Sequence, residues 1–142
     1  VVYHPDFINT TNPLFGMEYK QFVRGCHMGV FPSYYAPWGY TPVECLASGI
    51  PAITSDLAGF GDFVIKNFPD FEDHGLYVIE RFERTWDDAA NQLTYAMMEF
   101  LKMNRRDRII QRNNAEQFST FFDWDHLGQF YDLGQKLSLR RA

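Results

Sequence analysis

Short apolar runs rich in β-branched residues alternate with helical patterns over the first 85 residues, and this alternation restricts the fold more than any other feature of the chain. The runs end at turns that contain Pro, Gly or Asn, as strands do. Parallel strands need long crossover connections, which helices supply. The pattern predicts an α/β fold with a Rossmann-like parallel sheet flanked by helices. The predicted strands are residues 1–4, 28–31, 51–55 and 75–79, and the predicted helices between them are residues 19–26, 42–48 and 62–67.

From Trp86 onward only helical periodicity remains. Apolar residues recur there at spacings of three and four in three successive segments. We expect residues 1–85 to form a Rossmann-like part and residues 86–142 to form an all-helical C-terminal part that packs on the same domain. The apolar positions are Ala89, Leu93, Ala96, Met97, Phe100 and Leu101 in the first segment, Ile109, Ile110, Phe118, Phe121 and Phe122 in the second, and Leu127, Phe130, Tyr131 and Leu137 in the third.

The composition limits the functions that the chain can have. Apolar residues make up 46% of its 142 residues and aromatic residues 18%, which is enough for one compact core. The net charge of −5 gives no general reason to bind nucleic acid or an anionic membrane, so any basic site must be local. Cys26 and Cys45 lack disulfide-like or metal-like spacing, and we expect buried free thiols in a reducing, cytoplasmic compartment.

The sequence shows neither a membrane span nor a signal peptide. No apolar run approaches the roughly 20 residues of a membrane span. The first residues, Val1, Val2 and Tyr3, already have the character of a strand, and no signal peptide opens the chain. We therefore expect the chain to begin in the middle of a larger protein.

The segment from residue 31 to residue 45 is the most informative stretch, because it leaves a predicted strand and enters a predicted helix. Open α/β sheets bind ligands at the carboxyl ends of their strands, which is where this segment begins. Thr41 is a suitable N-cap, Pro42 suits the first helical position, and Glu44 completes a capping box with Thr41. The free backbone N–H groups of a helix start attract phosphate, and Gly39 would let the backbone approach a ligand closely.

Two readings of this segment remain open on the residues alone. Its aromatic side chains either form a wall for a sugar or a nucleotide base or fold the loop onto its own sheet. Glu44 either contacts a ligand or serves only the helix cap. The aromatic residues concerned are Tyr34, Tyr35, Trp38 and Tyr40.

The chain resembles glycogen synthases of the animal and fungal type over nearly its whole length. The segments that carry the resemblance are residues 22–35, residues 37–45, residues 55–61, the arginine helix at residues 105–112 and residues 122–124. The resemblance implies a retaining glycosyltransferase that moves glucose from UDP-glucose to the non-reducing end of an α-1,4-glucan. It also implies that this chain is most of one half of the two-domain GT-B architecture, with residues 1–85 as its nucleotide-sugar-binding part. The acceptor-binding N-terminal half is then missing.

The resemblance assigns roles to individual residues. Tyr19 matches the tyrosine that stacks on uracil, His27 matches a donor-site histidine, and Glu44 matches the second of two signature glutamates, close to the ribose. It implies no cofactor, no metal, and a homo-oligomer when the protein is full length. The segment that matches the cradle for the sugar and diphosphate consists of Trp38, Gly39, Tyr40 and Thr41.

Ala36 departs from the family pattern. The first signature glutamate, which the family places near the reacting sugar, should occupy this position. An alanine side chain carries no charge and accepts no hydrogen bond. Either the chain was altered at this position or it belongs to a diverged, inactive relative.

The arginine cluster offers a second anion site. Arg105, Arg108 and Arg112 share one face of a helix, because offsets of three and seven return to nearly the same angle. The cluster is either a solvated face or, as the resemblance implies, a regulatory helix that binds the phosphate of glucose 6-phosphate. Asn114 and Gln117 stand where the family carries further arginines, which weakens the regulatory expectation.

Asp123 and Asp125 imitate a metal-binding pair of another glycosyltransferase architecture. We expect Asp123 to cap the last helix instead, and the four histidines show no ligand spacing. The sequence therefore predicts no metal site.

Three functions are consistent with these observations. The first is the donor half of a UDP-glucose-dependent glycogen synthase, inactive as an isolated fragment. The second is a non-catalytic sugar-nucleotide-binding or regulatory module, which Ala36 favours. The third is a starch-type synthase that uses ADP-glucose, which fits the loop motif less well.

Overall fold

The computed structural model describes residues 2–141, which form a small parallel sheet of three strands flanked by helices. The strand order is β1-β2-β3, so the α/β part of the predicted fold class is confirmed. Each predicted helix exists, with boundaries that differ by a few residues. The elements are α1 (Tyr19–Gly25), β1 (Gly29–Val30), α2 (Tyr40–Ala47), β2 (Ala52–Ser55), α3 (Gly59–Asn67), β3 (Leu76–Ile79), α4 (Trp86–Lys102), α5 (Arg105–Ser119) and α6 (Trp124–Arg141).

The central strand β2 is buried along its whole length, as expected for a parallel sheet with covered faces. Its Ala52 lies opposite Gly29 of β1 and Leu76 of β3, and the register continues in parallel to the end of each strand. All three strands therefore end at the same edge of the sheet. The loops that follow Val30, Ser55 and Ile79 meet there.

Aromatic rings fill the core beside the sheet. Phe60 of α3 packs edge-to-face on Phe122, with ring centroids 4.9 Å apart, and Phe118 of α5 contacts the same ring at 4.9 Å. Such edge-to-face pairs add about 0.5–1.5 kcal/mol beyond the burial of their area. The core thus joins α3 to α5 through the 3₁₀ turn Thr120–Phe122.

The prediction of a strand at residues 1–4 is wrong for residues 2–4, whereas Val1 lies outside the described residues. Val2 and Tyr3 are exposed, and no strand of residues 2–141 runs beside them. Strand propensity forms a strand only when a neighbour completes the ladder. The segment is held instead by the buried Asn12, whose amide nitrogen lies 2.9 Å from Nε2 of His4 and donates to the carbonyl of Phe7 at 3.1 Å.

The last helix, α6, has no buried residue. Asp123 caps its start, as predicted, since its carboxylate accepts a hydrogen bond from the backbone N–H of His126 at 3.1 Å. The apolar residues predicted to pack along this helix are exposed, except that Leu127 is half-buried. Within residues 2–141, no helix is both long enough and apolar enough to cross a membrane.

Candidate functional site

The loop after β1 is fastened to the carboxyl edge of the sheet at successive points. The Ser55 hydroxyl at the end of β2 donates to the carbonyl of Ser33. The carbonyl of Ala36 accepts from the N–H of Gly59 at 3.0 Å, and the carbonyl of Trp38 accepts from the N–H of Phe60 at 2.8 Å. The loop is therefore part of the rigid framework, although it has almost no regular secondary structure.

Gly59 permits this close approach. A Cβ at this position would overlap the carbonyl oxygen of Pro37 and lie 3.3 Å from Cα of Trp38. Any side chain would push the loop away from the start of α3. The sequence carries this glycine within a recognisable segment, but its steric role depends on a contact that only the folded chain shows.

The predicted capping box at Thr41 and Glu44 is wrong. Helix α2 begins at Tyr40, and its N-cap is Gly39, whose backbone is left-handed with φ of 97°. A non-glycine residue would be strained at this φ, so the turn into the helix is set by backbone geometry rather than by a side-chain cap. Pro42 occupies the third helical position, where its missing N–H still costs the helix nothing.

The start of α2 leaves backbone donors without a partner. Within the part of the chain that the structure describes, no hydrogen bond is made by the N–H groups of Gly39, Tyr40 and Thr41. Consecutive free N–H groups at a helix start, after a left-handed residue, form a concave site of positive potential. This arrangement can bind a phosphate group without any charged side chain.

The aromatic residues of the loop fall into two groups, one that folds the loop onto the core and one that is open to a ligand. Trp38 packs against Phe60 and Phe63 of α3, with ring centroids 5.7 and 5.4 Å away, so its ring folds the loop onto the core. Tyr35 and Tyr40 are exposed and contact none of these rings. They remain available to a ligand beside the free N–H groups.

Sequence reasoning missed Arg81, which holds the first part of the loop. Its guanidinium lies over the rings of Tyr34 and Trp86, 5.2 and 4.8 Å from their centroids, and donates to the carbonyl of Pro32. The carboxylate of Asp56 accepts the backbone N–H of Arg81 at 2.7 Å and fixes the turn after β3. Their position in the sequence could have indicated both residues, because Asp56 and Arg81 follow two strands that end at this edge of the sheet.

Tyr19 and Glu44 are brought into the same neighbourhood by α1 and α2. Burial raises the pKa of the Tyr19 hydroxyl, and the nearby Cys45 and Glu44 side chains raise it further. The side chain of Tyr19 is still 40% exposed, so one part of its ring is accessible. An accessible aromatic ring thus lies near a carboxylate, one helical turn below the free donors of α2.

His27 lies before β1, whereas Ala36 lies within the loop after β1. His27 is exposed and precedes β1, so it lies at the amino end of the strand whose carboxyl end carries the loop. Ala36 is half-buried within the loop and pairs with Ala58 in an isolated parallel bridge. A Cβ on Gly39 would lie 3.8 Å from the Cβ of Ala36, so Ala36 lies beside the turn that precedes α2.

The three arginines of α5 are not equivalent. Arg108 donates to the carbonyl of Leu101 at 2.8 Å and lies 5.0 Å over the ring of Phe100, so it fastens the end of α4. Arg105 is exposed and Arg112 is half-buried. Asn114, which stands in an arginine position of the family, donates instead to the carbonyl of Asp73 at 3.1 Å.

The cysteines are free thiols, as predicted, but the prediction that both are buried is wrong for Cys26, which is half-buried, whereas Cys45 is buried. Burial raises the pKa of the Cys45 thiol to about 11, with smaller contributions from Cys26 and Glu44. The thiol therefore stays protonated at neutral pH and is a poor nucleophile. Among residues 2–141, no group of three or more His, Cys, Asp or Glu side chains could hold a metal ion.

The parallel sheet with its flanking helices places the chain in the α/β class of proteins, in which ligands commonly bind where the strands end. A family model described as glycogen synthase matches residues 1–142. This chain therefore belongs to the glycogen synthase family, whose members are glycosyltransferases.

Its similarity to individual members extends from end to end. The liver glycogen [starch] synthase of Mus musculus is 51% identical over 142 residues, which are 100% of this chain and 20% of the mouse protein. The glycogen [starch] synthase of Caenorhabditis elegans is 47% identical over 141 residues, which are 99% of this chain and 21% of that protein. That of Neurospora crassa is 46% identical over 142 residues, which are 100% of this chain and 20% of that protein. The chain thus spans about a fifth of the length of these curated relatives.

Proposed function

We propose that this chain is part of the donor-binding half of a glycogen synthase that transfers glucose from UDP-glucose to an α-1,4-glucan with retention. The single observation that carries the proposal is the set of free N–H groups at Gly39, Tyr40 and Thr41, which can bind the diphosphate. Tyr19 stacks on the base, Glu44 contacts the ribose, and Tyr40 and the backbone of Trp38 border the sugar. His27 lies at the amino end of β1, away from these N–H groups. It therefore contributes to the donor site only if the bound ligand extends to that end of the strand in the full-length protein.

The proposal also concerns the rest of the protein. Residues 1–85 and 86–142 belong to one domain of a GT-B fold, and the acceptor glucan binds to the other half. The exposed apolar side chains of α6, such as Phe130 and Leu133, suit a helix that another part of the protein covers. The isolated fragment binds UDP weakly and elongates no glucan, because half of the cleft and its exclusion of water are absent.

The test of donor binding is calorimetric titration of the full-length parent protein with UDP and with ADP. Tyr19→Ala should weaken UDP binding by roughly 5- to 150-fold, since stacking of a base on an aromatic ring contributes about 1–3 kcal/mol. Tyr131→Ala on α6 is the matched control and should leave UDP affinity unchanged. Tighter binding of ADP than of UDP would favour a starch-type donor and refute this assignment.

A non-catalytic module is the second candidate, and Ala36 is the observation that favours it. A loop with an intact phosphate site and no carboxylate at position 36 can bind a nucleotide sugar without turning it over. The discriminating measurement is glucose incorporation into glucan by the full-length parent protein. Tight UDP binding with no incorporation would favour the module over the enzyme.

Arg105 and Arg112 are proposed to attract the phosphate of glucose 6-phosphate in the assembled, oligomeric protein. Guanidinium groups bind phosphate through charge-assisted, partly bidentate hydrogen bonds. The double variant Arg105→Ala with Arg112→Ala should weaken glucose 6-phosphate binding to the full-length parent at least about tenfold in a calorimetric titration. Arg108 is left intact, because its replacement would also release the end of α4.

Lys136→Ala on α6 removes an exposed cation elsewhere and serves as the control for net charge. Binding of equal strength in the parent protein and the double variant, or no binding to either, would show that this face is merely solvated.

A further inference from the structure

The turn after β3 carries an arginine whose backbone is fixed from the sheet. The carboxylate of Asp56, the residue after β2, accepts the backbone N–H groups of Arg81 and Phe82 at 2.7 and 3.1 Å. Asp56 is itself held, because its own N–H donates to the carbonyl of Ile79 at 3.1 Å. Two neighbouring strands thus fix the base of the Arg81 side chain at the carboxyl edge of the sheet.

The guanidinium of Arg81 contacts the loop after β1 rather than a carboxylate. Within residues 2–141 it forms no ion pair. It donates to the carbonyl of Pro32 and lies over the rings of Tyr34 and Trp86. These two rings are stacked on each other, with their centroids 6.0 Å apart. A planar guanidinium can donate in its plane and stack on rings with its face, which the ammonium group of a lysine cannot do.

The second half of the loop does not depend on Arg81. The N–H groups of Gly59 and Phe60 hold the carbonyls of Ala36 and Trp38, and the ring of Trp38 packs against α3. These contacts also keep the free N–H groups at the start of α2 in place. Loss of Arg81 should therefore loosen the beginning of the loop without displacing the loop as a whole.

The beginning of the loop has fewer contacts. The side chain of Tyr34 is 70% exposed, and its ring is held by Trp86 and by the guanidinium of Arg81. Tyr35 is 80% exposed. The next residue is Ala36, whose carbonyl is held but whose side-chain direction also depends on the residues before it. Arg81 thus helps to set the direction of the side chain at position 36 by holding Tyr34.

We propose that Arg81 is a positioning residue for the side chain at position 36, and that it acts through the carbonyl of Pro32 and the ring of Tyr34. The importance of this position rests on the proposed function, in which a carboxylate there would lie near the reacting sugar. A shift of about 1 Å in a reacting group can lower a rate on the order of 100-fold. Because the free N–H groups at the start of α2 have separate anchors, Arg81 affects the rate of transfer and leaves the affinity for UDP unchanged.

The first test needs neither nucleotide nor glucan. Ala36→Cys in the full-length parent protein places a thiol at position 36, and mass spectrometry of the peptide that contains it follows its reaction with a bulky maleimide. The rate of this reaction reports how firmly the position is held. Arg81→Ala in this background should raise the rate at least about tenfold, because it removes a charge-assisted hydrogen bond and two cation–π contacts.

Two further variants make the labelling test specific. Tyr34→Ala alters only an exposed side chain and should also raise the rate, and the double variant with Arg81→Ala should add little, because both residues act through one cluster. Arg84→Ala is the matched control and should leave the rate unchanged. It removes a cation from the same turn, but its guanidinium pairs only with the exposed Glu80, at 2.6 Å.

The second test is the rate of glucose incorporation in the Ala36→Glu background. Arg81→Ala should lower this rate at least about tenfold while the affinity for UDP stays within about threefold. Arg84→Ala should change neither quantity. A general loss of stability would not separate rate from affinity in this way. If the Ala36→Glu protein transfers no glucose, the proposed function falls, and the labelling experiment alone decides the role of Arg81.

Equal labelling rates at position 36 with and without Arg81 would overturn the proposal, whatever the activity of the protein. A loss of UDP affinity of about tenfold or more in Arg81→Ala would also overturn it, because the guanidinium would then contact the donor or hold its phosphate site.

Discussion

Ala36→Glu should raise the rate of glucose transfer by the full-length parent protein by on the order of 10²–10⁴, the usual contribution of a positioned catalytic carboxylate. Cleavage of the bond to UDP develops positive charge on the sugar and negative charge on the departing phosphate. In the proposed donor site, a carboxylate at position 36 would stabilise the first charge, and the N–H groups at the start of α2 would stabilise the second. The measurement is the rate of glucose incorporation into glucan at saturating UDP-glucose.

The local structure explains why this replacement should leave donor binding unchanged. The backbone of Ala36 is held by the N–H of Gly59, and its side chain is only half-buried, so a longer side chain can extend without displacing the loop. UDP affinity should therefore stay within about threefold. Ala36→Gln introduces nearly the same shape without the charge and should give little of the increase. Equal rates for the unaltered parent protein and for both replacements would show that position 36 has no catalytic role in this protein.

The fold was predictable in outline because its signals are local. Hydrophobic periodicity located α1, α4, α5 and α6, and residues typical of helix ends located α2. Short apolar runs bounded by turns located the three strands that the described residues form. The predicted first strand is absent over residues 2–4 because a strand depends on a neighbour, and sequence patterns do not reveal which neighbours are present. The apolar positions of α4 and α6 were identified from their spacing, but spacing does not show whether another part of the protein covers them.

The position of the candidate site could be predicted from the sequence, but most of its contacts could not. The strand-to-helix transition after residue 31 located the loop, because ligands collect where parallel strands end. The cap at Thr41 was wrong because the left-handed Gly39 turns the chain into α2 two residues earlier than expected. Arg81 and Asp56 were missed because their contacts with the loop and with each other join residues 25 or more positions apart.

The site and the core share the same loop. Trp38 points its ring into the core, while the neighbouring residues Gly39 and Tyr40 leave their N–H groups free. Preorganised donors of this kind need no rearrangement when charge develops on a ligand. Changes that displace the loop should therefore affect stability and donor binding together.

Gly59→Ala is the most direct test of this coupling, and we expect it to destabilise the protein and to weaken UDP binding at least about tenfold. The new Cβ would overlap the carbonyl oxygen of Pro37, so the loop must move away from α3. Overpacking of this kind costs about 1–3 kcal/mol or more, even though alanine is the better helix former. Thermal unfolding and calorimetric UDP titration of the full-length parent protein measure the two effects.

Gly128→Ala in α6 is the matched control for Gly59→Ala. A Cβ at Gly128 meets nothing within 4 Å, so the replacement should be neutral or stabilise by about 0.5–1 kcal/mol through helix propensity. The two glycine replacements are thus expected to have opposite signs, although both lie in helices. Because the loop moves as a unit with its N–H groups, Gly59→Ala should lower UDP affinity even at temperatures where the protein remains fully folded. Normal UDP affinity in a folded Gly59→Ala protein would show that donor binding does not depend on the position of the loop. It would also remove the main support for a phosphate site at the start of α2.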